Sequence, residues 1–381
     1  MENVVQYVVG MDFNFRRCRA WIVPVFEKND NGSSLLFTNF TTSDHIYEWQ
    51  IDEGFLSCGF KDFFPDLHFP DALFQNDFYS FLTSNPLHFS GYCKILEELV
   101  ERLQSCNSVL KSCSCEWCFY IPPFMYYPIK RRFKYIEIVS TALSRKGINV
   151  NHFISSQEAI KGVLDYLALS KESKSSLFIH YGASTIETSL WEKGENTNSF
   201  ISDNLGASQI ERAILSYYKC NNPDNFNNAY EHTNRLLCET GNNYVDLSQS
   251  ILYIIKKQKE DCYRSATSHF YLDFNFGRFV GLIGIDNPFR PYSFEFCGDL
   301  DAITEDYQNA VHDYFKELSE QIGAYGIKRI ILSGGACNMG WVWPMVKTVF
   351  PEAEIVGCRH PSYVLVRGTA YYVRNKLLQP V

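Results

Sequence analysis

Apolar and polar positions change period several times along this chain, and the changes mark out its elements. Val4 to Val9 is a β-rich run ending at Gly10-Met11-Asp12, and Cys18 to Phe26 reads as the strand returning from it. Glu27 to Ser34 is a loop, and the aromatic stretch from Phe37 to about Phe89 stays unassigned. Helical spacing over Ile95 to Gln104 is followed by a strand, Trp117 to Ile121, closed by Pro122-Pro123. A helix over Tyr135 to Lys146 ends at Gly147; Ile148 to Phe153 is a short strand and Gln157 to Leu169 a further helix. Strand and helix thus alternate, which implies a largely parallel sheet.

A second hairpin opens the second half of the chain. Leu177-Phe178-Ile179 leads into Tyr181-Gly182-Ala183-Ser184-Thr185, and the alternating strand Ile186 to Trp191 leaves it. Then come a helix over Gln209 to Tyr218, a polar Asn-rich insert over Cys220 to Asn243, and a helix from Leu247 to about Arg264. Tyr271 to Ile285 is strand material and Thr304 to Gly323 a long amphipathic helix. A buried strand over Lys328 to Leu332 and helices over Trp341 to Phe350 and Ser362 to Leu378 complete the pattern. A hairpin of one design therefore begins each half.

Composition narrows the function classes. With 381 residues, 46% hydrophobic, the chain can bury a sizeable core in two lobes, expected over 1–172 and 173–381. A net charge of −8 supplies no global basic field, so neither nucleic acid nor an anionic membrane is an expected partner. Met1-Glu2-Asn3 lacks the basic start of a secretory signal and no apolar run has the length of a membrane span, so the expected location is cytoplasmic. The thirteen cysteines are odd in number and dispersed, as reduced core thiols are. Cys113-Ser114-Cys115-Glu116-Trp117-Cys118 resembles a metal cluster but has no second CxxC or HxxxH pair to complete a tetrahedral set.

Several turns carry candidate chemistry. Small residues at Gly182-Ala183-Ser184 allow backbone N–H groups to approach an anion, and the Thr185 hydroxyl can donate one more bond. Gly206, at a helix start with Ala207, leaves first-turn N–H groups open to an anion. Gly334-Gly335, after a buried strand, permit a backbone turn against a flat ligand. Asp12, beside a turn, is either an ordinary turn residue or a holder of a hydrated divalent metal.

In this order the motifs resemble the actin, sugar-kinase and 70-kDa heat-shock chaperone superfamily, most closely the chaperones' nucleotide-binding domain. Gly10-Met11-Asp12-Phe13-Asn14-Phe15-Arg16 is similar to the first phosphate motif, commonly GIDLGTT. His180 to Leu190 resembles the second, commonly DLGGGTFDVSL, and Ile331 to Gly340 the adenosine motif, commonly VLVGGSTRIP. Glu158 to Tyr166 is similar to the connecting helix, Leu205 to Glu211 to LGGEDFD, and Val364 to Tyr371 falls near the end where the family has its last landmark.

The resemblance implies an α/β protein of two lobes, each a mixed five-stranded, ribonuclease H-like sheet with helices, closing on ATP or ADP and Mg²⁺. Only Gln379-Pro380-Val381 follow the last helix, so a nucleotide-binding body without a peptide-binding domain is expected. It assigns catalytic roles to Asp12, Thr185 and Glu187. Nucleotide contacts fall to Asp12, Asn14, Gly182, Ala183, Ser184, Thr185, Gly206, Ala207, Lys257, Gly334, Gly335, Ala336 and Asn338, and Mg²⁺ is held through water by Asp12 and Glu187.

The departures bear on mechanism. Asn14, Phe15 and Arg16 replace Gly-Thr-Thr, removing phosphate-binding hydroxyls; Arg16 or Arg17 either contacts phosphate instead or is a solvated turn residue. His180 and Glu187 stand at two acidic positions, and a protonated His180 would repel Mg²⁺. Asn338 replaces an adenine-stacking arginine, and the family's lysine has only Lys61 as a counterpart. Slow ATP hydrolysis at best is expected, with lobe closure presenting a surface to a protein partner. The alternatives are a pseudo-ATPase scaffold without nucleotide, a small-molecule kinase with Asp203 as base, and a filament former.

Overall fold

Two β-hairpins, each at the head of a parallel extension, organise the computed structural model, which describes residues 6–13, 17–25, 45–50, 86–107, 109–122, 129–169, 174–239, 247–265, 267, 269–273, 295–356 and 360–378. In the first half, strands β1 (Tyr7–Phe13), β2 (Arg17–Pro24) and β3 (His45–Gln50) precede helices α1 (Pro86–Cys106) and α2 (Val109–Ser112). Strand β4 (Cys115–Tyr120), helix α3 (Ile129–Ser144), strand β5 (Val150–Ile154) and helix α4 (Ser156–Tyr166) follow. The sheet order is β3-β2-β1-β4-β5, antiparallel through β1 and parallel beyond it.

The second half repeats that plan. Strands β6 (Ser176–Tyr181), β7 (Ile186–Glu192) and β8 (Glu195–Ser202) lead to helices α5 (Gln209–Asn221), α6 (Pro223–Glu239) and α7 (Leu247–Arg264). A separate two-stranded sheet, β9 (His269–Asp273) with β10 (Glu295–Asp299), precedes helices α8 (Leu300–Ile303) and α9 (Glu305–Ile322). Strand β11 (Arg329–Ser333), helix α10 (Val342–Val349), strand β12 (Glu354–Val356) and helix α11 (Val364–Leu377) end the chain. Here the order is β12-β11-β6-β7-β8, with the same antiparallel and parallel relations. The protein is thus α/β with mixed sheets.

Local chemistry explains the element ends. The Ser155 hydroxyl accepts from the Glu158 amide while the Ser155 amide donates to the Glu158 carboxylate, a capping box that starts α4. Gly147, at φ +71, turns the chain out of the helix before β5. Where they fall on described residues the expected elements recur, α1 and α3 starting nine and six residues earlier than expected; of the strand material over Tyr271 to Ile285 only Tyr271 to Asp273 is described, within β9. One element needs correction. The Asn-rich stretch read as an insert is the helix α6, anchored by the buried ring of Phe226 against Tyr218 and Tyr230. Strands β8 and β12 were not foreseen. Of the unassigned aromatic stretch, β3 and the start of α1 are described; the remainder, with Lys61, lies outside the described residues. Among the described residues no helix is long and apolar enough to cross a membrane.

One buried cluster joins the two sheets. Side chains alternate across a strand, so Val8, Gly10 and Asp12 share a face of β1, and Arg19, Trp21 and Val23 share the matching face of β2. Val8, Trp21 and Val23 pack in one core with Phe178, Trp191 and Ile331 of the second sheet and with α4 and α11. Those two helices touch backbone to backbone: a Cβ on Gly162 would lie 2.0 Å from the Gly368 carbonyl oxygen, and one on Gly368 would lie 2.1 Å from that of Ala159. The crossing therefore demands glycine from both helices. Gly162→Ala is expected to cost about 1 to 3 kcal/mol by overpacking, read as a lower denaturant midpoint; an unchanged midpoint would contradict so tight a crossing.

Candidate functional site

The face shared by the two sheets turns polar at one end, and that end is the candidate site. On β6 the alternation carries Phe178 into the shared core and His180 to its rim; on β11 it does the same for Ile331 and Ser333. Cross-strand partners lie on one face, and Glu187 of β7 is opposite His180, just as Asp12 is opposite Arg19. Five polar side chains thus terminate one apolar face.

Their interactions are specific. Arg19 Nη1 donates to Asp12 Oδ2 at 3.2 Å, and both residues are buried. The guanidinium also lies 5.8 Å from the centre of the Tyr363 ring, which in turn packs edge-on to Trp21. His180 Nδ1 shares a hydrogen bond of 3.0 Å with Ser333 Oγ. Desolvation, and after it the nearby positive charge of Arg19, lower the His180 pKa to about 4, so the ring is neutral at pH 7. That electrostatic influence links the first hairpin to the second. The Thr185 hydroxyl donates to Glu187 Oε1 at 3.1 Å, and desolvation still pushes the Glu187 carboxyl up to about 8.

The second hairpin's turn is built on close backbone approach. The Gly182 amide donates to the Thr185 carbonyl, and Ser184 stands exposed at the apex, with Ala183 and Thr185 partly exposed. Gly206 lies flush beneath it, since a Cβ there would meet the Ser184 carbonyl carbon at 2.2 Å. The amides of Ala207 and Ser208 donate to the carbonyls of Gly182 and Ala183. This corrects the expectation that Gly206 and Ala207 leave first-turn N–H groups open to an anion: those groups tie α5 to the hairpin. The Ala207 side chain belongs to the core.

The adenosine-like turn is partly open. Gly334, at φ +96, is pressed on the Tyr181 backbone, where a Cβ would meet the carbonyl oxygen at 2.2 Å, and its amide donates to Pro361. Gly335 is exposed with nothing near its Cβ position, so a flat ligand has room there. Asn338 is also exposed, but its side-chain amide bonds back to the Gly335 carbonyl. The Ala336 side chain belongs to the core.

Other expected positions fall elsewhere. Asn14, Phe15 and Arg16 lie outside the described residues, as do the side chains of Arg17 and Lys257. On the same helix Lys259 is described: buried, it donates to Glu211 Oε1 at 2.9 Å and to the Ala207 carbonyl at 3.2 Å, binding α7 to α5. Asp203 is exposed in the turn after β8. Cys115 and Cys118 are on β4, and burial pushes the Cys115 thiol up to about 12. Arg19, Ser333 and Tyr363 were not singled out from the sequence. The alternation of β2 could have found Arg19, which is two residues from Trp21 and so on its face.

No family model matches the chain, and no curated protein matches it. The site is therefore judged on its own donor set. Asp12 is committed to a guanidinium, Glu187 holds its proton at neutral pH, and His180 is an imidazole where a carboxylate was needed. Among the described residues no group of three or more His, Cys, Asp or Glu is gathered as a metal ion requires. With one carboxylate paired to a guanidinium and the other protonated, these residues are a poor set for a hydrated Mg²⁺.

Two outcomes follow from the buried charges. Asp12→Asn strips Arg19 of its carboxylate and is expected to cost about 3 kcal/mol, while Asp12→Asn with Arg19→Gln recovers much of it; equal losses in denaturant titrations would contradict the pairing. Because Glu187 keeps its proton in the fold up to about pH 8 whereas an unfolded glutamate ionises near 4.5, its contribution falls as pH rises between those values. His180 acts oppositely: its contribution is full above 6.5 and is lost towards pH 4. From pH 6.5 to 8 the Glu187 effect dominates, and Glu187→Gln is expected to flatten a slope of at most about 1.4 kcal/mol per pH unit. Identical slopes in variant and parent would refute this.

Proposed function

We propose that the chain is a two-lobed, actin-like body, on the plan of the 70-kDa heat-shock chaperones' nucleotide-binding domain, that binds an adenine nucleotide without hydrolysing it. The observation that carries the reading is the duplicated strand plan, with the head hairpins meeting at Asp12, Arg19 and His180. Triphosphate would lie between the Ala183–Thr185 apex and the Asp12 end of β1, and adenosine over Gly335, where the backbone is exposed and a Cβ position is open.

Loss of turnover follows from the same residues. Phosphoryl transfer to water depends on charge stabilisation at the transition state, chiefly by a metal ion, and on an oriented water. Asp12 and Glu187 are bound to Arg19 and Thr185 respectively and offer neither a metal shell nor, at neutral pH, a base. Nucleotide then acts by closing the lobes, and the closed form presents a surface to a protein partner. The ion pair of Asp12 and Arg19 also favours a second reading, a scaffold with no nucleotide at all.

Thermal melts with millimolar ATP or ADP separate the two. A rise of several degrees with no phosphate release over hours is expected for the first reading. A melting temperature unmoved by either nucleotide would leave the scaffold, and steady phosphate release would contradict both.

A further inference from the structure

The outer face of α11 carries two arginines that no acid neutralises. Arg367, Tyr371, Arg374 and Leu378 recur at helical spacing and so share one stripe. Tyr166, at the end of α4, stands against that stripe, its ring 4.7 Å from the Tyr371 ring. The Arg367 guanidinium lies against two rings, 4.0 Å from the centre of Trp21 and 4.5 Å from that of Tyr166, and the Arg374 guanidinium is 5.4 Å from the centre of Tyr371. Trp21 is itself buried and packed edge-on to Tyr363, so the first of these cations is held in place. Among the described residues neither arginine has a side-chain hydrogen bond or an ion pair, and the Nε of each is enclosed without a partner. The two acids of α4 are engaged elsewhere, Glu158 with Ser155 and Lys376 and Asp165 with the Asn375 amide at 3.2 Å, and α11 has no acid of its own. Beyond Arg374 the stripe ends in Leu377 and Leu378, which with Tyr166 are about two-fifths exposed.

We propose that this face docks an acidic segment of a partner protein, with carboxylates on Arg367 and Arg374 and an apolar side chain on the Leu377–Leu378 end. The inference rests on the functional reading only in supposing a protein partner; the contacts that carry it are independent of nucleotide. A ring satisfies the flat face of a guanidinium and leaves its edge N–H donors for a carboxylate, while fixing the plane in which they lie. The two arginines are seven residues apart on α11, about 10 Å along the axis at about 1.5 Å per residue. No single carboxylate or phosphate group bridges that span, but three residues of an extended peptide, at about 3.3 Å each, do. The complementary ligand is therefore a chain with acids spaced along it. A nucleic-acid strand also carries spaced anions, but it offers Leu377 and Leu378 no apolar counterpart.

Fluorescence anisotropy with a labelled synthetic peptide of about fifteen residues, acidic at every third position and ending in a Leu pair, tests this on the whole chain. A second peptide with Gln for each acid is the comparison. The acidic peptide is expected to bind with a dissociation constant below about 100 μM in low salt, at least about tenfold tighter than the Gln peptide, and to weaken as salt is added. Arg374→Gln, near the helix end and away from Trp21, should weaken it at least about threefold, and Arg367→Gln with Arg374→Gln at least about tenfold. Equal affinity for the two peptides, or binding of neither, would overturn the inference, and that comparison needs no variant to fold. An oligouridylate of similar length that bound more tightly than the acidic peptide would assign the face to nucleic acid and overturn it as well. Every titration omits nucleotide, so failure here leaves the functional reading to the melts with ATP and ADP.

Discussion

Burying a carboxylate beside a guanidinium removes several kcal/mol of hydration from each ion, and the loss is offset only while the two remain together. Asp12 and Arg19 are in that position, in register on the first hairpin and closed over by Trp21 and Tyr363. His180 and Ser333 are arranged in keeping with the pair. Its positive end contributes to keeping His180 neutral, and a neutral His180 can share a hydrogen bond with Ser333 without setting a second positive charge against Arg19.

Packing explains why the charges meet there. Each sheet devotes one face to the joint core, and along β1, β2, β6 and β11 that face ends in a polar residue at the same rim. The rim is held by α4 and α11, whose glycines permit carbonyl oxygens to come where a methyl group would otherwise sit. Gly10 has the same purpose on β1, since a Cβ there would meet Val366 and Ala370 of α11 at 2.8 and 2.9 Å. Residues that look like phosphate-motif glycines are, in part, packing glycines. Gly206 and Gly334 belong with them: one lies under the Ser184 turn and the other on the Tyr181 backbone.

That double use of glycine sets the limit on what the sequence made legible. Strongly periodic elements such as α7 and α9, and the hairpin β6–β7, were readable because one face of each is buried and the pattern records it. Helix α6 was not, because its Asn-rich residues have weak helical preference and tertiary contact of Phe226 with Tyr218 and Tyr230 decides the matter. At the site, Thr185, Glu187 and Gly335 were legible as positions, but their partners were not. Whether an amide is open to an anion, as expected at Ala207, depends on a carbonyl supplied from another loop. Whether Asp12 is free to serve a metal depends on a residue across the hairpin, and only the register shows it.

The Asp12 and Arg19 pair is expected to persist when ligand arrives. A crystal structure of the protein grown with Mg²⁺ and ATP tests this most directly. The prediction is that Arg19 stays within hydrogen-bonding distance of Asp12 with no ion between them. An octahedral hydrated Mg²⁺ seated on Asp12 and Glu187, with the Arg19 side chain swung away, would contradict it.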